Sequence, residues 1–505
     1  MVFLEYQFCG RFMLTAEYLT TLRLDSDMHL PMFRQLYDAI KDGILTGKLP
    51  SATQLPPTRA LAQLLRVSRQ TVLNAYSQLM AEGYLSGNVG KGTFVSDKLP
   101  GTLVPAPSEQ AQEPLRPLST RGQRFIDIRS KINTHDDKPR AFRIGMPGLD
   151  IFPFPVWARL EARRWRRPSF QLGYTDPAGY QPLRELLAAY LSTSRGVNCS
   201  AEQIIITSGS QQALFLIASL LLAPGDAAWV EDPGYRGTNG ALHATEARVC
   251  PVPVDQDGLC VDLGAQHYPD AKLIYTTPSH QYPLGVTMSL RRRLDLLAWA
   301  TRNKAWIVED DYDSEYRYTG TPHASLQSLD KSGCVIYVGT LSKLLFPGLR
   351  LGYMVLPAPL VKAFVNGKAV MDRHTSIVPQ IVLAEFIAEG HFTRHIKRTR
   401  DVYAERHAAL LQGLEQHVAD HFDFGPVDAG MHIAVALKDG RDDHAIALQA
   451  RKQNVELRPL SQFYAPAEEA PLREGTPSGF LLGFASVPPT ETRFGVSVLE
   501  KLLRG

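Results

Sequence analysis

The chain of 505 residues has only five cysteines, Cys9, Cys199, Cys250, Cys260 and Cys334, and none stands at a paired spacing. Their scatter argues against a disulfide framework and a zinc site, and fits a reducing compartment. Long apolar runs are also missing. The longest, Leu214-Phe-Leu-Ile-Ala-Ser-Leu-Leu-Leu-Ala223, ends at Pro224-Gly225. It is about half a membrane span, so it reads as a buried helix and no membrane partner is expected. The first dozen residues lack a basic start followed by an apolar core, so no signal peptide is read there and a cytoplasmic location is expected. Charge of one sign is lacking too: 54 Lys and Arg against 51 Asp and Glu leave a net +3. No internal repeat is present.

What is there divides into regions, because a chain of this length is too long for one core. Residues 1–28 read as an N-terminal extension. Residues 29–96 read as a compact unit of short helices and a hairpin. Met32 to Leu45 carries apolar residues at Phe33, Leu36, Tyr37, Ile40 and Ile44, the spacing of a helix. Thr58 to Leu65 is a second helix behind Pro56-Pro57, and Ser68 caps a third that runs to Glu82. Two helices joined by so short a turn predict a helix-turn-helix. Tyr84-Leu-Ser and Gly92-Thr-Phe-Val-Ser flank a polar turn and predict a small β-hairpin, or wing. Residues 97–140 hold six prolines in a polar stretch and read as a linker. An arm packed on the next domain is the other reading, with Arg124-Phe-Ile-Asp-Ile as its best piece. From 141 onward short, unalternating apolar runs alternate with helical ones, which predicts strands buried on both faces of a parallel α/β sheet. A large lobe of about 141–375 would precede a smaller one of about 376–505. The fold class expected is therefore multidomain, an α+β winged helix joined by a long linker to an α/β domain.

The small charge is unevenly spread. Residues 29–95 hold seven Lys and Arg against three Asp and Glu, or +4, more than the whole chain. Between Gly43 and Ala81 stand Lys48, Arg59, Arg66 and Arg69 and no acidic residue. Local positive charge suits a phosphate backbone. Ser68, Arg69, Gln70, Thr71 and Asn74 open the third helix, where a major-groove helix touches bases. Lys91 stands at the wing tip. Two further basic runs, Arg163-Arg-Trp-Arg-Arg167 and Arg291-Arg-Arg293, read as solvated helix faces, the first a candidate extension of the DNA-contacting surface.

The most informative stretch is Val338-Gly-Thr-Leu-Ser-Lys-Leu-Leu-Phe-Pro-Gly-Leu-Arg-Leu-Gly-Tyr353. It places Lys343 in a small-residue loop between two strand-like runs, with Arg350 behind a Pro-Gly turn. A lysine that attacks a carbonyl must be neutral, and burial or a fixed neighbouring cation depresses its pKa. Hydroxyl residues beside it together with Arg350 can hold a phosphate. Thr207-Ser-Gly-Ser-Gln-Gln follows a strand and opens a helix, so its N–H groups point at an anion. Tyr235 ends another strand with an aromatic able to stack on a ring. Ile307-Val-Glu-Asp-Asp-Tyr312 ends a third with carboxylates, one of which can keep a pyridine nitrogen protonated. Sites in open α/β sheets form at the carboxyl ends of strands, where all four motifs fall.

Two resemblances follow from these strings. Leu55-Pro-Pro-Thr-Arg-Ala-Leu-Ala, Val67-Ser-Arg-Gln-Thr-Val and Gly90-Lys-Gly-Thr-Phe-Val resemble the winged helix of the GntR family. That implies operator DNA as partner and contacts from Arg59, Ser68, Arg69, Thr71, Gly90 and Lys91. The region from Gly173-Tyr-Thr-Asp-Pro-Ala-Gly-Tyr180 through Tyr353 resembles fold-type I enzymes of the class I/II aminotransferase group. That implies pyridoxal 5'-phosphate as cofactor, with Lys343 as the Schiff-base lysine, Asp310 on the pyridine nitrogen, Tyr312 on the ring hydroxyl and Tyr235 on the ring face. Ser210, Gln211, Thr340, Ser342 and Arg350 would surround the phosphate. Tyr174 would reach the phosphate of a neighbouring subunit, so a homodimer is implied. The order of parts resembles the MocR/GabR family of transcriptional regulators, as do Thr277-Pro-Ser-His-Gln-Tyr-Pro-Leu-Gly285, which brings His280 to the cofactor site, and Glu309-Asp-Asp-Tyr-Asp-Ser-Glu-Tyr-Arg-Tyr318.

Two departures bear on function. Tyr282-Pro-Leu-Gly stands where aminotransferases of the group usually have Asn-Pro-x-Gly. The C-terminal arginine that grips a substrate carboxylate has only Arg458 and Arg473 as candidates. The expectation is a regulator that senses pyridoxal phosphate, or an amino-acid or amine adduct of it, with room for residual or half-transamination. The alternative is a competent aminotransferase carrying an accessory DNA-binding domain.

Overall fold

The computed structural model describes residues 18–25, 30–88, 92–97, 117–127, 138–166, 172–320, 324–473 and 475–504. The chain forms two compact units, residues 1–116 and 117–505.

In the first unit the helices Met32–Leu45, Thr58–Leu65 and Arg69–Ala81 surround a core of Leu36, Ile40, Leu61, Val72, Tyr76 and Leu79. The strands β1 (Gln54–Leu55), β2 (Leu85–Asn88) and β3 (Gly92–Val95) form an antiparallel sheet in the order β1-β3-β2. The pairing of Leu85 with Val95 and Asn88 with Gly92 makes the expected wing. Ser68 Oγ accepts the Thr71 N–H at 3.0 Å, a cap that contributes about 1 kcal/mol and fixes where the third helix starts. Buried Tyr37 and Tyr76 lock the helices: Tyr76 donates to Pro56 O at 3.0 Å, and Tyr37 donates to Glu82.

The second unit is built on an eight-stranded sheet ordered β4-β11-β10-β9-β8-β5-β6-β7. Its strands are β4 (Ile204–Thr207), β5 (Ala227–Asp232), β6 (Arg248–Asp255), β7 (Gly258–Leu259), β8 (Leu273–Thr276), β9 (Trp306–Asp311), β10 (Val335–Thr340) and β11 (Gly352–Val355). The pairs β6–β5, β5–β8, β8–β9 and β9–β10 are parallel. β11 runs antiparallel to both β10 and β4, so the sheet is mixed rather than wholly parallel. The reversal follows from the short Leu341–Leu351 connection, which turns back without a crossover helix. Because β4 and β10 still run the same way, the ends of β4, β5, β9 and β10 share one edge. A smaller antiparallel sheet, ordered β12-β13-β15-β14, joins β12 (Phe422–Phe424), β13 (His432–Leu437), β14 (Arg458–Pro459) and β15 (Gly479–Gly483). Within the expected linker, Thr120–Asp127 is a helix in the second unit, and Arg121 Nε lies 3.3 Å from Glu246 Oε1.

The basic runs are solvated faces only in part: Arg163, Arg166 and Arg291 are exposed as expected, but other members are committed. Arg293 is 2% exposed and donates to the carbonyls of Met288, Ala324 and Pro278 at 3.0, 2.8 and 2.8 Å. Arg292 donates to Gly258 O and Leu259 O and pairs with Asp255 at 2.9 Å. Five donors per guanidinium let a buried arginine tie together loops that lack their own partners. Arg163 pairs with Glu389 at 2.8 Å and Arg164 with Glu385, so these two are held by the helix Ile377–Ala388 and its end.

Candidate cofactor site and nucleic-acid interface

The shared edge of strand ends opens on a cavity of about 400 Å3. Its wall includes Ser210, Gln211, Tyr235, Asp310, Tyr312, Thr340, Ser342, Lys343 and Arg350, nine of the residues singled out from the sequence. Two others stand elsewhere. His280 is not on the wall: it is buried behind it, its Nδ1 3.0 Å from Asp313 Oδ1 and 3.0 Å from the Tyr312 hydroxyl. Tyr174 is 84% exposed and away from the cavity, with the Arg373 guanidinium 4.9 Å over its ring.

Lys343 Nζ donates to Gly145 O at 2.7 Å. Burial pushes its pKa down, while the carboxylates Asp313 and Asp310 pull it partly back up. Of the two causes expected for a depressed lysine, burial acts; the local charges on it are anionic. Asp310 accepts the Tyr275 hydroxyl on Oδ2 at 2.8 Å, and its buried Oδ1 has no hydrogen-bond partner. Burial raises the Asp310 pKa to about 7. A buried carboxylate oxygen facing a cavity with nothing to accept from is the place for a cationic N–H.

At the other end, Gly209 opens the helix Ser210–Leu221 with φ +123°, and a Cβ there would meet the Arg350 guanidinium at 3.4 Å. Arg350 itself has φ +52°. Helix N–H groups, hydroxyls of Ser210, Thr340 and Ser342, and one arginine therefore converge on a single pocket end. The donor set at one end and the orphaned carboxylate oxygen at the other fit a phosphorylated pyridine aldehyde.

Several residues of the site were missed from the sequence. Buried Glu231, at the end of β5, accepts Thr276 Oγ1, Thr277 N, Thr277 Oγ1 and Gln281 Nε2 at 2.6, 2.9, 2.6 and 3.1 Å. It pins the Thr277–Gly285 loop to the strand edge. Asp311 holds Arg195 at 2.7 Å and Tyr337 at 2.6 Å beneath the site. Asp313 and His432 lie on the wall. Burial lowers the His432 pKa to about 4, so the ring is neutral and its Nε2–H donates to Pro283 O at 3.0 Å. Asp313 carried a signal, in the acidic run after β9; His432 carried none.

Neither candidate carboxylate arginine is among the wall residues, although the charge of Arg458 reaches Tyr282 on that wall. Arg473 pairs with buried Asp232 at 2.5 Å, its guanidinium 4.9 Å over the Tyr464 ring. Arg458 lies 3.6 Å from Glu456, which also holds Arg143 at 3.0 Å. The cations on the described wall are Lys343 and Arg350.

In the first unit, Arg59, Ser68, Arg69, Gln70, Leu73, Asn74 and Ser77 are exposed, and the last six lie on the third helix and its cap. Ser68 and Thr71 are partly committed to each other, their hydroxyls 2.8 Å apart. Gly90 and Lys91 lie outside the described residues.

Residues 147–475 match the model of aminotransferase class I and II, and residues 33–95 that of the bacterial regulatory proteins of the gntR family. The chain is 40% identical to the probable rhizopine catabolism regulatory protein MocR of Rhizobium meliloti, over 95% of each chain. It is 29% identical to the pyridoxine biosynthesis transcriptional regulator PdxR of Corynebacterium glutamicum, over 90% of this chain and 91% of that one. A crystal structure of Pyrococcus horikoshii kynurenine aminotransferase in complex with PMP superposes with a TM-score of 0.66, at 30% identity, over 79% of this chain and 96% of that one. The chain thus belongs to the MocR/GabR family of transcriptional regulators, a GntR-type winged helix fused to an aminotransferase domain whose cofactor is pyridoxal phosphate.

Proposed function

We propose that this regulator binds operator DNA as a cytoplasmic homodimer and senses pyridoxal phosphate, or an amino-acid or amine adduct of it, in the cavity around Lys343. The observation that carries the reading is the buried, unpartnered Asp310 Oδ1 sharing one cavity with Lys343 and the Arg350 pocket. When bound, pyridoxal phosphate supplies an aldehyde for amines and a ring that withdraws electrons once its nitrogen is protonated. Burial favours the neutral form of Lys343 Nζ, the form that can act as the amine holding the cofactor, and Gly145 O orients it. Asp310 holds the proton on the ring nitrogen. Asp313 can only accept, so His280 Nδ1 carries the hydrogen between them and the Tyr312 hydroxyl proton is left to point into the cavity. Tyr235 covers the ring, and Arg350, Ser210, Gln211, Thr340 and Ser342 hold the phosphate. Exposed Tyr174 serves the phosphate of a second copy. In the first unit, Arg59, Ser68, Arg69, Thr71, Gly90 and Lys91 meet the DNA.

Sensing is favoured over turnover because Arg473 is held by Asp232 and neither it nor Arg458 is among the residues of the cavity wall. A ligand then shifts DNA binding only through different affinities for two states of the protein. The test is to offer the purified, cofactor-loaded protein a panel of amino acids and amines with and without a keto acid, following cofactor absorbance. Bleaching that stops after one equivalent is expected. Rapid, complete multiple turnover would overturn the sensor reading in favour of a working aminotransferase.

A further inference from the structure

The third helix of the winged unit presents a stripe that the assignments above leave partly unused. Gln70, Leu73, Asn74 and Ser77 follow Arg69 at helical spacing and all are exposed, while Val72, Ala75, Tyr76 and Leu79 fill the core. Gln70 Nε2 donates to Asn74 Oδ1 at 2.8 Å, one helical turn on. That bond uses one hydrogen of the exposed Gln70 amide and leaves Oε1 and the other N–H available. An amide with one acceptor and one donor side by side is the complement of adenine in the major groove, where N6–H donates and N7 accepts. A glutamine free in solvent must give up rotamer freedom to make that contact; bracing by Asn74 reduces the loss. Leu73, 43% exposed in the midst of this polar stripe, lies outside the buried core cluster of this unit. Apolar contact with a thymine methyl group suits it.

We propose that Gln70, braced by Asn74, reads an adenine in the operator, and that Leu73 packs on an adjacent thymine methyl. This rests on the operator-DNA reading above and adds to it the base the helix selects. The positively charged surface positions the unit on the duplex, and these three side chains specify sequence.

The experiment is selection from random duplex DNA by the full-length, cofactor-loaded protein, wild type beside Gln70→Ala, Asn74→Ala and Leu73→Ala. All three side chains are exposed, so the core is untouched. Wild type is expected to enrich a site with at least one strongly preferred adenine. In Gln70→Ala that preference, roughly 10-fold to 100-fold over other bases, falls to none; in Asn74→Ala it weakens. On the wild-type site, 7-deazaadenine at that position, which lacks N7, weakens wild type about 10-fold and leaves Gln70→Ala unchanged. Uracil for the adjacent thymine weakens wild type and leaves Leu73→Ala unchanged. An adenine preference kept intact by Gln70→Ala, or equal binding of wild type to the 7-deaza duplex, would overturn the proposal while leaving DNA binding in place. If wild type enriches no sequence, the DNA-binding reading fails and the proposal with it.

Discussion

Lys343→Ala is expected to lose all borohydride-stable attachment of pyridoxal phosphate, read as the missing mass increment on the intact protein, while the chain still folds. Lys343 is the lysine on the cavity wall, its Nζ set by Gly145 O. An exposed lysine near pKa 10.5 is almost wholly protonated at neutral pH and cannot attack an aldehyde. Burial lowers the Lys343 pKa despite two nearby carboxylates. Alanine removes a buried amine and so relieves a desolvation cost, which is why loss of the cofactor should not be loss of the fold. Retention of attached cofactor at another lysine of the variant would contradict the assignment.

The second large effect belongs to Asp310→Asn. A protonated ring nitrogen buried opposite Asp310 forms a charge pair, and breaking a buried pair by removing one partner costs about 3 kcal/mol or more. Cofactor retention is expected to fall on the order of 100-fold, measured by dialysis against increasing buffer volumes. The same variant has a pH signature in the cofactor-free protein. Burial lifts the folded Asp310 pKa to about 7, above its unfolded value near 3.9. Between those values the folded state holds a proton that the unfolded state has released. This group therefore subtracts stability as pH rises from about 4 to 7, at no more than about 1.4 kcal/mol per pH unit, and adds no further change above. Thermal unfolding of wild type and Asp310→Asn across that range should diverge with the wild type falling more steeply. Parallel curves would contradict a buried carboxyl whose Oδ1 has no partner.

Much of this architecture was legible because its signals are local. The capped third helix, the Pro56-Pro57 entry to the second, and the apolar strand cores each depend on neighbours in sequence. So do the motifs at strand ends: strand direction alone brings Ser210, Tyr235, Asp310 and Lys343 to one edge. What was not legible depends on distant partners. Arg293 looks like one charge in a solvated run until the carbonyls of Pro278 and Ala324 arrive beside it. His432 reaches the wall because β13 of the small sheet lays it there, over 100 residues from Pro283, its partner. Arg473 could be weighed as a carboxylate clamp only while Asp232, 241 positions away, was out of view. His280 resembled a cofactor contact, yet it stands off the wall within hydrogen-bond distance of Tyr312 and Asp313, a distinction that only three-dimensional placement makes.

The central claim is that cofactor chemistry at Lys343 controls DNA binding by the winged helix. Footprinting on the DNA upstream of the protein's own gene and its neighbours, with and without pyridoxal phosphate, tests it most directly. Wild type should protect a defined site whose extent or affinity changes with the cofactor, while Lys343→Ala protects the same site and does not respond. Protection in no state, or identical protection by wild type with and without the cofactor, would contradict the account.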